Sequence, residues 1–274
     1  MTITVQTLVK NEARFLWYAV MAVAQHVDKI LLWDTGSNDD TVKIAEEIKN
    51  TLGSKVDFQK LVAKTAQDVS QLRQKMLEQT KTDWFLIVDG DEVWWEDSIT
   101  NLVEAIQKDG NKLDFLVSPY FTSIGDIYHY QEEQAGKYKI HDWKGHINIR
   151  AINRKIPDLH IKGTYPLEGY YDKNETIIQE RTKTRVKYVE AKYLHLTHLA
   201  RSSGGKDSNV VGRRKKIKYE LGREFPADFY YPEVFFRPKP EIAPSPWEKM
   251  SASFWTRSLA ETPLKKIKRR ILRV

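Results

Sequence analysis

Five consecutive apolar residues, Trp84-Phe85-Leu86-Ile87-Val88, are followed directly by the acidic sequence Asp89-Gly90-Asp91-Glu92. A short apolar run without polar interruptions predicts a strand buried on both faces, as in parallel sheets covered by helices. In open α/β sheets, ligands bind beyond the carboxyl ends of the strands. The sequence therefore predicts a group of carboxylates at a sheet edge where a ligand site is expected.

The two aspartates of this motif are separated by Gly90, which permits tight backbone geometry. Carboxylate oxygens are the ligands that hard cations such as Mg²⁺ or Mn²⁺ prefer. A cation of this kind can in turn hold a diphosphate. We therefore expect a divalent metal site formed by Asp89 and Asp91.

Strand and helix signals alternate over residues 1–115. Strands are predicted at residues 3–9, 29–33 and 56–58, and each is followed by apolar residues at helical spacing. The first helix is predicted over residues 11–25, and a capping-box pattern from Ser37 to Asp40 precedes the second. Strands that alternate with helices indicate right-handed βαβ units, a parallel sheet and an α/β fold.

The remainder of the chain has a different character. Residues 116–205 contain strand signals separated by long aromatic loops at 124–144 and 159–176, and long loops are often functional. Residues 206–274 contain a basic helix at about 208–222, a segment rich in proline and aromatic residues, and an amphipathic basic helix from residue 255 onward. We expect one domain over residues 1–205 and a basic extension over residues 206–274.

The composition excludes several classes of function. The chain of 274 residues has no cysteine, which excludes disulfides, thiolate zinc sites and a cysteine nucleophile. Its start does not have the pattern of a signal peptide, and its longest uncharged apolar run is too short to cross a bilayer. We therefore expect a cytoplasmic protein. The net charge of +7 is concentrated near the carboxyl terminus, which favours peripheral contact with the anionic inner face of the cell membrane.

Four segments, in this order along the chain, resemble the family 2 glycosyltransferases of the GT-A fold. They are residues 8–12, residues 33–41, Arg73 in the helix before the apolar strand, and the D-x-D motif at residues 89–91. The family transfers a sugar from a nucleotide-sugar donor. The resemblance implies a Rossmann-like, mostly parallel sheet flanked by helices, with residues 1–115 binding the donor and residues 116–205 binding the acceptor.

The resemblance also implies roles for individual residues in a nucleotide-sugar site, with a UDP-sugar favoured. Leu8, Val9 and Glu12 are expected to line the nucleoside pocket, and Asp34 to accept a hydrogen bond from the base. Arg73 is expected to contact the nucleotide. The Asp89-Gly90 segment is expected to lie near the ribose, and Asp91 to bind the metal that bridges the diphosphate.

A second group of candidates lies in His195-Leu196-Thr197-His198 and just beyond it. GT-A enzymes often place a late histidine on the metal or the diphosphate. Residues three apart on a strand face opposite sides, so both histidines can meet one ion only if the strand ends between them. We expect His198, which is nearer the following loop, to be the ligand and His195 to support it. Arg201 is expected to donate hydrogen bonds to the phosphates.

An inverting transfer needs a carboxylate that takes the proton of the acceptor hydroxyl. Glu168 is our candidate, since related enzymes often carry an acidic residue in a comparable loop. The histidine-glutamate pairing of some relatives is missing here. Asp126, Asp142 and Asp158 are the rivals.

The sequence thus predicts a metal-dependent, inverting glycosyltransferase that acts on a glycan or lipid-linked acceptor, as in the synthesis of cell-envelope polysaccharides. A nucleotidyltransferase is the alternative enzyme, although Lys10-Asn11-Glu12 lacks the glycines of its usual phosphate loop. A basic membrane or nucleic-acid adaptor is the non-enzymatic alternative, and it would leave the acidic strand ends unexplained. We therefore do not expect nucleic acid as a partner. A metal hydrolase built on the two histidines is the third alternative, but zinc sites use more ligands.

Overall fold

The computed structural model describes residues 1–199 and 218–271, which form fifteen β-strands and five α-helices. Four parallel strands near the amino terminus, in the order β4-β1-β2-β3, form one half of the central sheet. They are β1 (Ile3–Val9), β2 (Lys29–Asp34), β3 (Val56–Lys60) and β4 (Trp84–Ile87). The helices between them are α1 (Leu16–Val23), α2 (Thr41–Leu52) and α3 (Ala66–Gln79). The predicted α/β fold, with helices flanking a parallel group of strands, is confirmed.

The second half of the chain extends this sheet with strands in both directions. Antiparallel β10 pairs with β4 and then with β6, and β14 pairs with β5 and β6. The elements of this half are β5 (Glu92–Trp94), α4 (Glu96–Asp109), β6 (Phe115–Ile124), β7 (Asp126–Tyr130), β8 (Tyr138–Ile140), β9 (Trp143–Gly145), β10 (Ile147–Asn153), β11 (His160–Lys162), β12 (Gly169–Tyr171), β13 (Val186–Tyr188), β14 (Tyr193–His198) and β15 (Arg223–Glu224). Because β10 lies beside β4, this half closes one side of the carboxyl edge of the parallel strands.

The two segments predicted as long loops contain small antiparallel hairpins instead. The strand pairs β8–β9 and β11–β12 each form a separate two-stranded sheet. Each pair is only three residues long per strand, so no periodic pattern of apolar residues marks it in the sequence.

The helix starts also differ from the sequence prediction. The first helix starts at Leu16 rather than near Asn11, because Asn11 has a left-handed backbone with φ of 56°. The side chain of Ser37 does not cap α2, whose N-cap residue Asp40 makes no capping hydrogen bond. A reciprocal capping box occurs instead at α3, between Thr65 and Asp68.

The segment that follows residue 218 packs along the body and ends in helix α5 (Ala252–Ile271). β15 pairs with β7, and the buried side chains of Phe225, Val234 and Phe235 join the main core. The expected basic helix near the end of the chain is therefore present. Most of the basic helix predicted at residues 208–222 lies outside the described residues. Within residues 1–199 and 218–271, no helix has the length and apolar content to cross a membrane.

Candidate active site

A cavity of about 450 Å³ lies at the carboxyl ends of β1 and β4. Nine of the residues singled out in the sequence line it: Leu8, Val9, Glu12, Arg73, Asp89, Gly90, Asp91, Glu168 and His195. Parallel pairing explains the convergence, because Gln6 of β1 lies opposite Ile87 of β4 and both strands then run to the same edge. The chain segments that follow these strands therefore meet over one cavity.

Gly90 packs closely against the end of β1 and the residues after it. A Cβ atom at this position would lie 2.9 Å from Cγ1 of Val9 and 3.0 Å from Cβ of Glu12. These distances are shorter than normal carbon contacts, so a side chain does not fit here without displacement of a neighbour. The glycine between the two aspartates is therefore required by close packing against β1 and the turn after it.

The acidic motif turns back on itself and is fixed by β14. The amide of Glu92 donates to the carbonyl of Asp89 at 3.0 Å, and the amide of Leu196 donates to the carbonyl of Asp91 at 2.8 Å. Antiparallel pairing of β5 with β14 sets His195 opposite Glu92. Nε2 of His195 consequently lies 3.9 Å from Oδ1 of Asp91.

Arg150, on β10, is a site residue that the sequence analysis missed. Its Nη2 lies 3.3 Å from Oδ2 of Asp89 and also contacts Glu92, while its Nε donates to the hydroxyl of Tyr193 at 3.1 Å. The available signal was a single charged residue inside the apolar stretch 147–152. Such a residue is buried only when it is paired.

Arg73, on α3, contacts both the acidic motif and the candidate base. Its Nη2 lies 3.6 Å from Oδ1 of Asp89, and its Nε lies 3.3 Å from Oε1 of Glu168. The Asp89 carboxylate is therefore held between two arginines, one from helix α3 and one from strand β10. Positive charge beside a buried carboxylate cluster is suited to binding an anionic ligand such as a diphosphate.

The β11–β12 hairpin carries Glu168 to the cavity. Three hydrogen bonds fasten the hairpin to α3: the amide of Ile161 to Oε1 of Gln74 at 2.8 Å, the hydroxyl of Thr164 to Oε1 of Gln67 at 2.9 Å, and the amide of Tyr165 to Oγ of Ser70 at 2.9 Å. The side chain of Glu168 is consequently only 12% exposed. The rivals Asp126, Asp142 and Asp158 do not line the cavity.

Burial and charge perturb the ionisable groups of the site. Burial raises the pKa of Glu92 to about 8, with Arg150 opposing this shift and Asp89 and Asp91 adding to it. Burial by itself lowers the pKa of Arg73, but the charges of Asp89, Tyr170 and Glu168 raise it above its ordinary value. The pKa of Arg150 is likewise raised, because Glu92 outweighs the effect of burial. Both arginines therefore stay charged in the site.

Three polar atoms that are buried around the cavity lack a hydrogen-bond partner among the described residues. They are Nε of Arg73, Oε2 of Glu168 and the hydroxyl of Tyr170. Buried polar groups are satisfied in the great majority of cases, so unsatisfied ones require an explanation. A polar ligand in the cavity provides one, because all three residues line it.

Three of the expected contributors are placed differently from the rest. The carboxylate of Asp34 accepts hydrogen bonds from the amides of Gly36 and Ser37 at 2.9 and 3.0 Å, and the neighbouring residue Thr35 lines the cavity in its place. His198 is buried and lies outside the cavity lining. Between the histidines, β14 advances three residues while β6 advances two, so the strand is irregular at this point. Arg201 lies outside the described residues.

The residues of the site fit a divalent cation that shares its ligands with a substrate. Within residues 1–199 and 218–271, no three histidine, aspartate or glutamate side chains form a metal-binding group. Mg²⁺ and related ions are commonly bound by one or two carboxylates together with substrate phosphates. Asp91, which is 5% exposed and lines the cavity beside His195, can provide such a carboxylate.

Comparison with known proteins gives one family and several distant relatives. The family model described as "Glycosyl transferase family 2" matches residues 4–164. The SPbeta prophage-derived glycosyltransferase SunS of Bacillus subtilis is 24% identical over 197 residues, which cover 69% of this chain and 44% of that protein. A TPR repeat-containing protein of Synechococcus elongatus is 32% identical over 158 residues, which cover 58% of this chain and 33% of that protein.

Among solved structures, that of S. aureus TarS 1-349 in complex with UDP-GlcNAc is similar, with a TM-score of 0.48 and 13% identity. The similarity covers 71% of this chain and 58% of that one. The matched region spans less than half the length of the two curated relatives.

Proposed function

The chain belongs to glycosyltransferase family 2, and from this premise we propose that it moves one sugar from a nucleoside diphosphate donor to a glycan or lipid-linked acceptor, with metal dependence and inversion. The observation that carries this proposal is the position of Asp89, Gly90 and Asp91 at the end of β4. There the motif shares one cavity with Arg73 and Arg150. A site that combines carboxylates for a cation with two fixed guanidinium groups is suited to a diphosphate.

We assign the donor nucleoside to the side of the cavity formed by the end of β1. Leu8 and Val9 line this part of the cavity together with Glu12 and Thr35. Tyr165, in the turn of the β11–β12 hairpin that is hydrogen-bonded to α3, also lines the cavity. Aromatic and apolar side chains can pack against the flat faces of a base. Asp34 holds the turn that places Thr35, so we propose that it acts through this turn rather than by direct contact with the base. UDP is the nucleotide we favour.

The leaving diphosphate is stabilised by charges already present in the site. A Mg²⁺ or Mn²⁺ ion held by Asp91, with His195 beside it, would supply Lewis-acid stabilisation of the leaving group. Arg73 and Arg150 hold Asp89 in a fixed place and contribute positive charge that needs no rearrangement during the reaction. We propose that these residues bind the two phosphates and orient the anomeric carbon toward the acceptor.

We propose Glu168 as the base. Its carboxylate takes the proton of the acceptor hydroxyl while that oxygen attacks the anomeric carbon from the face opposite the diphosphate. The bond between the anomeric carbon and the phosphate oxygen breaks, and its electron pair leaves with the nucleoside diphosphate. Arg73 supports this role because its guanidinium forms an ion pair with the carboxylate, with Nε 3.3 Å from Oε1 of Glu168, and so keeps it in the cavity.

This assignment also gives a role to each segment of the chain. We propose that residues 1–115 bind the donor, that residues 116–205 bind the acceptor, and that residues 206–274 attach the enzyme to the cytoplasmic face of a membrane. This location suits an acceptor that is linked to lipid, as in the synthesis of cell-envelope polysaccharides.

Donor turnover tests the proposal. Release of a nucleoside diphosphate from a panel of nucleotide sugars is measured in the presence of Mn²⁺. Water takes the place of the acceptor in this assay. Glu168→Gln should lower turnover by roughly a hundredfold or more while leaving the donor affinity unchanged. Glu180→Gln, an exposed substitution of the same kind, is the matched control. Equal turnover in both variants would remove Glu168 from the reaction, and failure of wild type to bind any nucleoside diphosphate or to release one from any donor would remove the proposed function itself.

A further inference from the structure

Helix α5 is attached to the body of the protein along one side. Ser258 and Thr262 are its buried residues, and the hydroxyl of Thr262 accepts a hydrogen bond from the amide of Leu221 at 2.8 Å. Lys265 donates to the carbonyl of Tyr219 at 2.6 Å, and Arg269 forms an ion pair with Glu220. The orientation of the helix on the protein is therefore fixed.

The opposite side of α5 carries large apolar side chains that are in contact with solvent. At 3.6 residues per turn, Leu264, Ile267 and Ile271 lie opposite the buried residues, and Leu259 and Trp255 extend this apolar surface round to the edge of the buried side. They are between 44% and 69% exposed: Trp255, Leu259, Leu264, Ile267 and Ile271. A monomeric protein rarely exposes so many neighbouring apolar side chains unless the surface binds something.

Basic residues accompany this apolar face. The helix has six basic residues and a single acidic one, Glu261, which is paired with Arg257 and Lys265. Arg270 falls between the apolar residues on the helix surface and Lys268 lies at their border, whereas Lys266 is paired with Glu132 of the body, 3.3 Å from its Oε1. The exposed face thus combines apolar side chains with positive charge and has no acidic residue of its own.

We propose that the exposed face of α5 docks on a lipid bilayer that contains anionic headgroups. Helices that lie in the membrane interface have this combination of an apolar face and lysine or arginine residues. The basic residues would contact headgroup phosphates, and the apolar side chains would enter the boundary between headgroups and acyl chains. This inference specifies the membrane attachment proposed above, and its test does not depend on the transfer reaction.

The packing of the helix also relates it to the active site. The start of α5 packs on the turn after β6, since a Cβ atom at Gly125 would lie 2.8 Å from Cε1 of Phe254. β6 pairs with β14, the strand that provides His195 to the cavity. Helix α5 is therefore attached to the part of the sheet that positions His195.

Vesicle flotation of the full chain tests the inference. Vesicles of phosphatidylcholine alone are compared with vesicles that also contain phosphatidylglycerol. Lys268→Glu/Arg270→Glu should weaken partitioning to the anionic vesicles by roughly thirtyfold or more, and high salt should have the same effect. Leu264→Gln/Ile267→Gln should also abolish flotation, with helix content checked by circular dichroism. Lys75→Glu/Lys112→Glu, which makes the same charge change at exposed residues away from α5, is the matched control.

The inference is supported if the wild type and the control bind anionic vesicles and both α5 variants do not. Equal binding to neutral and anionic vesicles, or equal loss in the control, would overturn it. Absence of flotation in wild type would also overturn it, as would retention of random-sequence RNA by the same basic residues without any vesicle binding. Because donor turnover is measured separately, loss of membrane binding with turnover intact would leave the proposed reaction standing.

Discussion

Substitution of Gly90 by alanine tests whether the close approach of the acidic motif to β1 shapes the site. The added Cβ would lie 2.9 Å from Cγ1 of Val9 and 3.0 Å from Cβ and Cγ of Glu12. Ordinary carbon contacts are about 3.5 Å or more, so the groups must separate by about half an ångström. Val9 is a core residue that is 2% exposed, which leaves the motif itself to move.

The size of the effect follows from this displacement. Overpacking of a buried position costs about 1–3 kcal/mol of unfolding free energy, and the loss of glycine flexibility in the unfolded chain offsets about 0.4–1 kcal/mol. We therefore expect Gly90→Ala to lower the free energy of unfolding by about 1–2 kcal/mol. Misplacement of groups at a reacting centre by about 1 Å can cost a hundredfold in rate, so we expect kcat/KM to fall by at least about tenfold.

Denaturant unfolding, calorimetric binding of UDP with Mn²⁺ and donor turnover provide the assays. Gly53→Ala is the control, because Gly53 has a left-handed φ of 58° and no atom lies within 4 Å of its added Cβ. It should lose about 1–2 kcal/mol of stability through backbone strain and keep its donor affinity. If Gly90→Ala keeps the stability and turnover of wild type, the packing argument is refuted. If both variants lose donor affinity equally, the packing of Gly90 has no specific effect on the donor site.

The remaining predictions concern Arg73, His129 and Thr65. Arg73→Lys should lower kcat by at least about tenfold, because one ammonium cannot reach both Asp89 and Glu168 as the separate guanidinium nitrogens do; wild-type kinetics would contradict this. The hydrogen bond to Asp126 raises the pKa of His129 above 6.5, so the stability that His129→Gln loses should be greatest below pH 6.5 and vanish as the pH rises through the raised pKa. The opposite pH trend in urea unfolding would show that the pair is not ionic. Thr65→Ala removes the α3 capping box and should cost about 0.5–2 kcal/mol of unfolding free energy, with donor affinity retained.

The features that could be predicted from the sequence are those with local causes. The apolar run before Asp89 marks β4, and the alternation of strand and helix signals marks the parallel group of strands. Parallel strands end at a common edge, so the meeting of Val9, Asp89 and Arg73 follows from the order of elements. Glu168 and His195 were candidates because the family resemblance pointed to their segments, and both line the cavity.

Other features depend on pairings between distant parts of the chain. Arg150 reaches Asp89 only because β10 joins the sheet beside β4 in the antiparallel direction, which no local pattern specifies. His195 rather than the predicted ligand His198 lines the cavity, because the two-residue period separates the two histidines but does not specify which face of β14 meets the site. The carboxylate of Asp34 accepts hydrogen bonds from the backbone amides of the turn that follows it. These local hydrogen bonds compete with binding to a ligand, and a motif match does not reveal them.

The tryptophans after the acidic motif show the same limit. Trp94 and Trp95 follow the acidic motif directly in the sequence, yet neither lines the cavity. Trp94 is 1% exposed and stacks on Tyr193 with ring centroids 4.7 Å apart, and Trp95 packs against Phe121 and Phe229. Both residues therefore support the walls of the site through core packing.

Calorimetric titration of nucleoside diphosphates, with Mn²⁺ or with a chelator, tests the central claim most directly. Wild type should bind one nucleotide, UDP by our proposal, in a metal-dependent manner. Asp91→Asn should lose the metal-dependent part of this binding, whereas Asp97→Asn, an exposed change of the same kind, should bind as wild type does. Binding of no nucleotide by wild type, or identical metal-dependent binding by Asp91→Asn, would contradict the account of a metal-assisted donor site at the end of β4.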